Sequence, residues 1–178
     1  MRRKFNIAAR KLEIRQTNSV GNGNHTALKS KRKKKTPPVY GIFVKAGQTI
    51  EKDEFIGEYL GKIVKSGFEG PSLWSDYVYT LDEGDNRWES DAKERLYSVE
   101  IDSQYVGNWT RFMNHHCSPN VDAMDTQAGK IRMMAFQANR KIEANEEVFI
   151  NYGTYYFSGR GWQCRCPQHP EPHTPARV

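Results

Sequence analysis

From Val39 onward, short apolar runs alternate with Gly, Asp, Asn and charged residues. The runs Val39 to Val44, Phe55 to Leu60, Tyr77 to Leu81, Tyr97 to Ile101, Lys130 to Ala138 and Val148 to Ile150 are rich in β-branched and aromatic side chains and too short for helices, so they predict strands. Residues 84–96, dense in Asp, Glu, Arg and Lys, predict a short helix or an exposed insert, and Thr110 to Asn114 a single helical turn. No internal repeat is visible. The pattern predicts a mostly β protein with little helix.

Residues 1–36 have a different texture. Gly21 and Gly23 stand among Asn and Ser, and Lys29 to Lys35 is a like-charge block, so the segment reads as a flexible basic tail without a fold of its own. The block suits nuclear import or contact with nucleic acid, or else serves as a solvated linker. Phe5, Ala8, Ala9 and Leu12 among Arg2, Arg3, Arg10 and Lys11 allow a second reading, an Arg-rich amphipathic transit helix that would send the protein to an organelle. Domain boundaries are expected at 1–36 for the tail, 37–160 for the folded body and 161–178 for a C-terminal extension.

Charge sharpens the division. The first 36 residues hold twelve Lys and Arg against the single acid Glu13, while the rest of the chain has fifteen bases and twenty acids and is therefore net acidic. An acidic body attracts basic peptides and repels phosphate backbones, so a Lys/Arg-rich protein segment is the expected partner, with nucleic acid contact confined to the basic tail. No stretch has the run of about 18 apolar residues that a membrane span needs, and no secretory apolar segment stands at the N-terminus, so a soluble intracellular protein is expected. Three cysteines, an odd number, argue against a disulfide framework.

Three motifs carry more information than composition. Arg111-Phe112-Met113-Asn114-His115-His116-Cys117-Ser118-Pro119-Asn120 resembles the RFxNHSCxPN box of SET-domain protein lysine methyltransferases. Glu147-Val148-Phe149-Ile150-Asn151-Tyr152 resembles their EELxxDY box, and Cys164-Arg165-Cys166 their zinc-binding tail. Order and spacing agree, over roughly residues 39 to 169. The resemblance implies the SET fold, several short curled sheets around a C-terminal pseudoknot in which the segments near Asn114 and Tyr152 thread together. It also implies methyl transfer from S-adenosylmethionine to a lysine ε-amine, with a basic protein segment, most plausibly a histone tail in the nucleus, as substrate.

The resemblance assigns roles residue by residue. Tyr40 and Gly41 match the end of the family's cofactor-binding GxG segment, although Val39 occupies its first Gly position. Arg111, Phe112, Asn114 and His115 match the second cofactor segment, and Trp162 would close toward the adenine. Tyr152 aligns with the catalytic tyrosine, and Tyr77, in a run resembling YxFxLD, with a tyrosine lining the lysine channel. Strand alternation puts Tyr79 on the same face as Tyr77, in the channel or, equally on pattern alone, in the core. Ile150, two before Tyr152, stands where the family carries Phe or Tyr and belongs to the substrate channel.

All three cysteines fall on family zinc positions. Cys117, Cys164 and Cys166 would hold a structural Zn²⁺, whose tetrahedral sites favour thiolates. The family's fourth Cys would fall at Glu171, so His169, or else His173, would complete a Cys₃His set; the other reading is an unmetallated tail. Two rivals to a histone enzyme remain: a SET enzyme acting on nonhistone protein, and a catalytically silent SET module that binds a chromatin partner, for which Val39 is the main support.

Overall fold

Ile42 and Val44 are buried and Phe43 between them is half-exposed, the alternation that makes Val39–Val44 a strand with one face on the core. The computed structural model describes residues 5–17, 39–67, 75–81, 97–129, 131–169 and 171–173. In chain order its elements are α1 (Phe5–Lys11), β1 (Leu12–Thr17), β2 (Val39–Val44), β3 (Phe55–Glu58), β4 (Lys62–Gly67), β5 (Val78–Leu81), β6 (Tyr97–Asp102), a 3-10 turn (Trp109–Phe112), β7 (Asn114–His115), β8 (Val121–Ala128), β9 (Ile131–Ala138), β10 (Glu147–Ile150) and α2 (Thr154–Ser158). The strands form three small sheets, ordered β1-β2-β10-β7, β3-β9-β8 and β4-β6-β5. The mostly β expectation therefore holds, and the helical turn expected near Thr110 is the 3-10 turn.

The sheets share one core. Ile42, Val44 and Val148 from the first sheet meet Ile56, Met134 and Phe136 from the second and Ile101 and Leu81 from the third, all buried. The Ile50–Ile142 bridge closes the layer, with both side chains fully buried. In β9 four consecutive residues, Met133 to Phe136, are buried, as expected of a strand covered on both faces.

One pairing shapes the site. β10 runs parallel to the two-residue strand β7, with Phe149 opposite Asn114 and Ile150 opposite His115. The segments threaded together in the expected pseudoknot thus lie side by side, and each is pinned outside the ladder. Asn120, buried, donates through Nδ2 to the Glu147 carbonyl at 2.8 Å and accepts from the Phe149 amide through Oδ1 at 2.8 Å.

The N-terminal expectation needs correction. Residues 5–17 are not a tail: α1 lies against β3, Ala8 and Leu12 are buried in the common core, and Leu12 to Thr17 pair in full antiparallel register with Val44 to Val39. Lys11 adds an ion pair to Glu54 at 2.8 Å. The physical reason is β pairing at a sheet edge, which asks little of side chains: Leu12 alone of β1 is buried, and Ile14 is 46% exposed. Thr17 and Val39 are partners, so the Lys29 to Lys35 block, which lies outside the described residues, belongs to the connection between two paired strands. Residues 84–96 also lie outside them.

Candidate functional site

Gly41 marks the first wall. It sits in β2 facing β10, and a Cβ there would overlap the Glu147 carboxylate and come within 3.0 Å of Asn114 Nδ2, so only glycine fits. Asn114 Nδ2 donates to the Tyr40 carbonyl at 3.0 Å and to Glu147 Oε1 at 2.7 Å. Tyr40, exposed, meets Phe112 edge-on, with ring centroids 6.2 Å apart. Thus Tyr40, Gly41, Phe112 and Asn114, expected together from the sequence, are together. Glu147 joins them; buried between strands, it was not singled out, although it opens the box that ends at Tyr152.

The second wall is aromatic. Tyr152 follows β10, and Gly153 at φ +77° then turns the chain into α2. The Tyr152 hydroxyl donates to the Met113 carbonyl at 2.7 Å, and its amide donates to His115 Nδ1 at 3.1 Å. Its ring packs edge-on against Tyr156 at 4.6 Å. Burial, with the electrostatics of Tyr156, Tyr59 and Tyr77 behind it, pushes the Tyr152 phenol well above its ordinary range, so it stays protonated. Tyr59 donates to the Tyr77 carbonyl at 2.8 Å and packs against Tyr79 at 5.8 Å; burial pushes both Tyr59 and Tyr79 up to about 12. Tyr79 packs on the core, and Ile150 is 5% exposed within it.

Two expected residues take other neighbours. Arg111 lays its guanidinium over the Tyr77 ring at 4.1 Å and over Phe112 at 5.4 Å, bridging the two walls. Trp162 packs edge-on against Tyr156 at 5.9 Å, with Arg160 over both rings. Arg160 also donates to the Ser75 carbonyl at 2.7 Å and so ties this C-terminal cluster to the segment leading into Tyr77. Tyr156 and Arg160 were not named from the sequence; ordinary core and surface residues have the same types, and only the fold gathers them.

Behind Tyr152 lies a sulfur-rich cluster. His115, Cys117, Cys164 and Cys166 offer donor atoms that all lie within 4.8 Å of one another, and Cys117, His169 and His173 form an overlapping group. Cys117 Sγ is 3.8 Å from Cys164 Sγ, close to the ~3.8 Å edge of a tetrahedron with zinc–sulfur bonds of about 2.3 Å. Burial and the neighbouring thiols of Cys166 and Cys164 push the Cys117 thiol up, and burial raises Cys164. Burial also opposes ionisation at Cys166, but hydrogen bonds from the Cys117 and Gln168 backbone hold that thiol low. Crowded thiols that hinder one another's ionisation are what a divalent cation relieves. Burial, then His116 and His173, lower His115 to about 4, leaving a neutral imidazole.

With this geometry in view, comparison with known proteins is direct. The SET domain family model matches residues 41–153, more than half of the chain, and the chain belongs to that family. It is 29% identical over 144 residues to the histone-lysine N-methyltransferase EHMT1 of Mus musculus, covering 78% of this chain and 10% of that protein. It is 30% identical over 133 residues to the histone-lysine N-methyltransferase ASHR3 of Arabidopsis thaliana, covering 71% and 24%. An H3 lysine-36 specific histone-lysine N-methyltransferase of Gibberella zeae is 27% identical over 127 residues, covering 71% and 13%. The chain thus spans between a tenth and a quarter of these relatives' lengths.

Proposed function

We propose that this protein transfers a methyl group from S-adenosylmethionine to the ε-amine of a lysine in a basic protein segment, a histone tail, in the nucleus. The observation that carries the reading is the Tyr152 hydroxyl, half-buried, protonated and committed to the Met113 carbonyl within a wall of tyrosines. The relatives' names as histone-lysine N-methyltransferases support the substrate class, and the acidic body complements a basic tail. No helix among the described residues is long and apolar enough to cross a membrane.

S-adenosylmethionine supplies a methyl group on a positively charged sulfur. Its site fits the first wall: Gly41 lets the Glu147 carboxylate and Asn114 amide close directly onto the β2 backbone, and the Tyr40 carbonyl and Glu147 carboxylate offer acceptors to a ligand carrying ammonium and hydroxyl groups. The Tyr152 oxygen, its proton engaged by Met113, turns lone pairs toward the reacting centre and orients amine and methyl in line. Tyr77 and the aromatic wall around Tyr152 would strip water from the lysine, which would lower the amine's pKa from its free value near 10.4. The bound cofactor would supply the methyl carbon to the neutral nitrogen's lone pair, the carbon–sulfur pair staying with sulfur, and water would take the proton released from nitrogen. Cys117, Cys164 and Cys166 would hold zinc, which fastens the C-terminal tail behind Tyr152.

Val39 does not weigh against turnover. It opens β2 in register with Thr17, and the non-glycine positive-φ residues among those described are Asp53 and Asn145, so a branched side chain at position 39 meets ordinary extended backbone. The test is transfer of a labelled methyl to a histone peptide array, with calorimetric titration of S-adenosylmethionine alongside. Transfer with binding is expected; binding without transfer to any histone peptide points to a nonhistone substrate, and no binding would leave the silent chromatin-binding module.

A further inference from the structure

The aromatic wall around Tyr152 has two lips, and they are held in different ways. One is the segment Ser75 to Tyr77, which is fastened to the body of the protein. Ser75 is buried; its hydroxyl donates to Asp102 Oδ1 at 2.8 Å and accepts the Tyr77 amide at 3.2 Å. The Tyr77 carbonyl in turn accepts the Tyr59 hydroxyl at 2.8 Å and the Ser103 amide at 2.9 Å. The other lip is α2 with Tyr156 and Trp162, whose path is set by turns. It runs between Gly153 at φ +77° and Gly161 at φ +65°, and the Phe157 carbonyl accepts the Arg160 and Trp162 amides at 3.2 and 2.9 Å. Arg160 spans the two lips. Its Nη2 donates to the Ser75 carbonyl at 2.7 Å and its Nη1 to the Tyr156 carbonyl at 3.3 Å, while Nε forms an ion pair with Asp76 Oδ1 at 3.4 Å. The guanidinium also lies over the Tyr156 ring at 4.7 Å and the Trp162 ring at 5.5 Å. With its side chain 9% exposed, this cation is built into the rim. A planar fork of donors can bond a carbonyl on each lip and stack on rings at the same time, which a lysine ammonium cannot.

We infer that Arg160 is a positioning residue: by clamping Tyr156 and Trp162 to the Ser75–Tyr77 segment it sets the opening through which the substrate lysine reaches Tyr152. The inference rests on the methyl-transfer reading above, since it concerns the path of the acceptor amine. Tyr156 packs edge-on against Tyr152 at 4.6 Å, so a shift of the clamped lip is felt at the ring that carries the reactive hydroxyl. Displacing a reacting group by about 1 Å can cost on the order of 100-fold in rate. The cofactor wall is assembled from β2, β7 and β10 through the Asn114 bonds to Tyr40 and Glu147, and does not depend on the clamp's bonds. Losing the clamp therefore acts on the peptide and not on S-adenosylmethionine. Asp76, with its side chain 37% exposed, supplies the lesser part, because solvated ion pairs contribute little.

The experiment compares Arg160→Ala, Arg160→Lys and Asp76→Asn in the full chain by peptide methylation kinetics, calorimetric titration of S-adenosylmethionine and amide hydrogen exchange. In Arg160→Ala, kcat/KM for a peptide that the wild type methylates should fall by roughly 10–100-fold, while cofactor affinity stays within a few-fold. Protection of the amides at positions 160 and 162 should be lost, with those of Val44 and Ile142 unchanged. Arg160→Lys keeps the charge without the fork and should recover only a few-fold of the loss, and Asp76→Asn should stay within a few-fold of wild type. Full recovery with lysine, or a loss in Asp76→Asn as large as in Arg160→Ala, would show that charge and not the fork holds the lip, and would overturn the assignment. So would unchanged kcat/KM in Arg160→Ala, or an equal loss of cofactor affinity, the mark of a merely structural role. Should Arg160→Ala fail to fold in thermal denaturation, Arg160→Lys decides, and wild-type kinetics and exchange in it would overturn the clamp. Wild-type protein that neither binds S-adenosylmethionine nor methylates any peptide would instead overturn the methyl-transfer reading, and with it the positioning role; exchange in the variants would then report only whether Arg160 holds the lip.

Discussion

The Tyr152 hydroxyl gives its proton to the Met113 carbonyl across 2.7 Å, and so a residue at the end of β10 is held by the residue just before β7. The bond crosses the junction of the two threaded segments. It fixes the ring and also decides the chemistry of its oxygen, which keeps its proton and offers lone pairs. Tyr152→Phe removes that oxygen and leaves the ring in its wall. Turnover should fall by about 100-fold or more, the scale of losing one polar group aimed at a transition state, while S-adenosylmethionine affinity stays within a few-fold. Single-turnover assays with calorimetry check both; near-normal turnover would remove Tyr152 from the mechanism.

Gly41 and Val39 make opposite predictions two residues apart. In Gly41→Ala the new methyl meets the Glu147 carboxylate and Asn114 amide, and forcing them aside costs about 1–3 kcal/mol. Cofactor affinity should drop by roughly tenfold or more, since each ~1.4 kcal/mol is tenfold. Val39→Gly, which restores the family's GxG, should change affinity by less than about threefold, because Val39 already sits in a regular ladder. A large gain on Val39→Gly in calorimetry would show that the branched side chain does obstruct the cleft.

The site was legible where chemistry is written in rare residue types. Asn114, Cys117, Tyr152 and the Cys164–Cys166 pair stand in motifs whose spacing survives in sequence, and the structure gathers them. Glu147, Tyr156 and Arg160 were not legible, because their roles come from packing across elements and their types are common. The same logic explains the fold. β2 and β9 announce themselves by buried apolar runs, whereas β1 (Leu12–Thr17) and β8 (Val121–Ala128) are held largely by backbone pairing and look like polar linkers. The long connection between Thr17 and Val39 hid that β1 pairs with β2 at all.

Asn120 should prove to be the main polar fastener of β10. Its buried amide satisfies the Glu147 carbonyl and the Phe149 amide, and its own carbonyl accepts from the Asn139 amide at 3.1 Å. Asn120→Leu leaves two buried backbone groups unpaired, each worth about 1–3 kcal/mol. A loss of roughly 2–4 kcal/mol in urea unfolding is expected, with Tyr152 misplaced and turnover reduced even in the folded fraction. A loss below about 1 kcal/mol would mean that water replaces the side chain.

The number of methyl groups transferred turns on Ile150. It pairs with His115, is 5% exposed, and its carbonyl accepts the His116 amide at 3.0 Å, so its side chain is fixed in the core two residues before Tyr152. A tyrosine at this position can hold a water in space that a methylated amine needs; isoleucine has no hydroxyl to do so. The neighbouring hydroxyls offer an alternative anchor, but Tyr59 is committed to the Tyr77 carbonyl and the Tyr79 ring packs on the core. The wild type is therefore expected to add two or three methyl groups, and Ile150→Tyr to shift the product toward one. The larger ring in a filled core costs about 1–3 kcal/mol, so the variant's fold is checked by thermal denaturation first. Mass spectrometry of a peptide taken to completion with excess cofactor gives the answer: a wild-type product stalled at a single methyl group would mean that Tyr77 or Tyr79 holds the water instead.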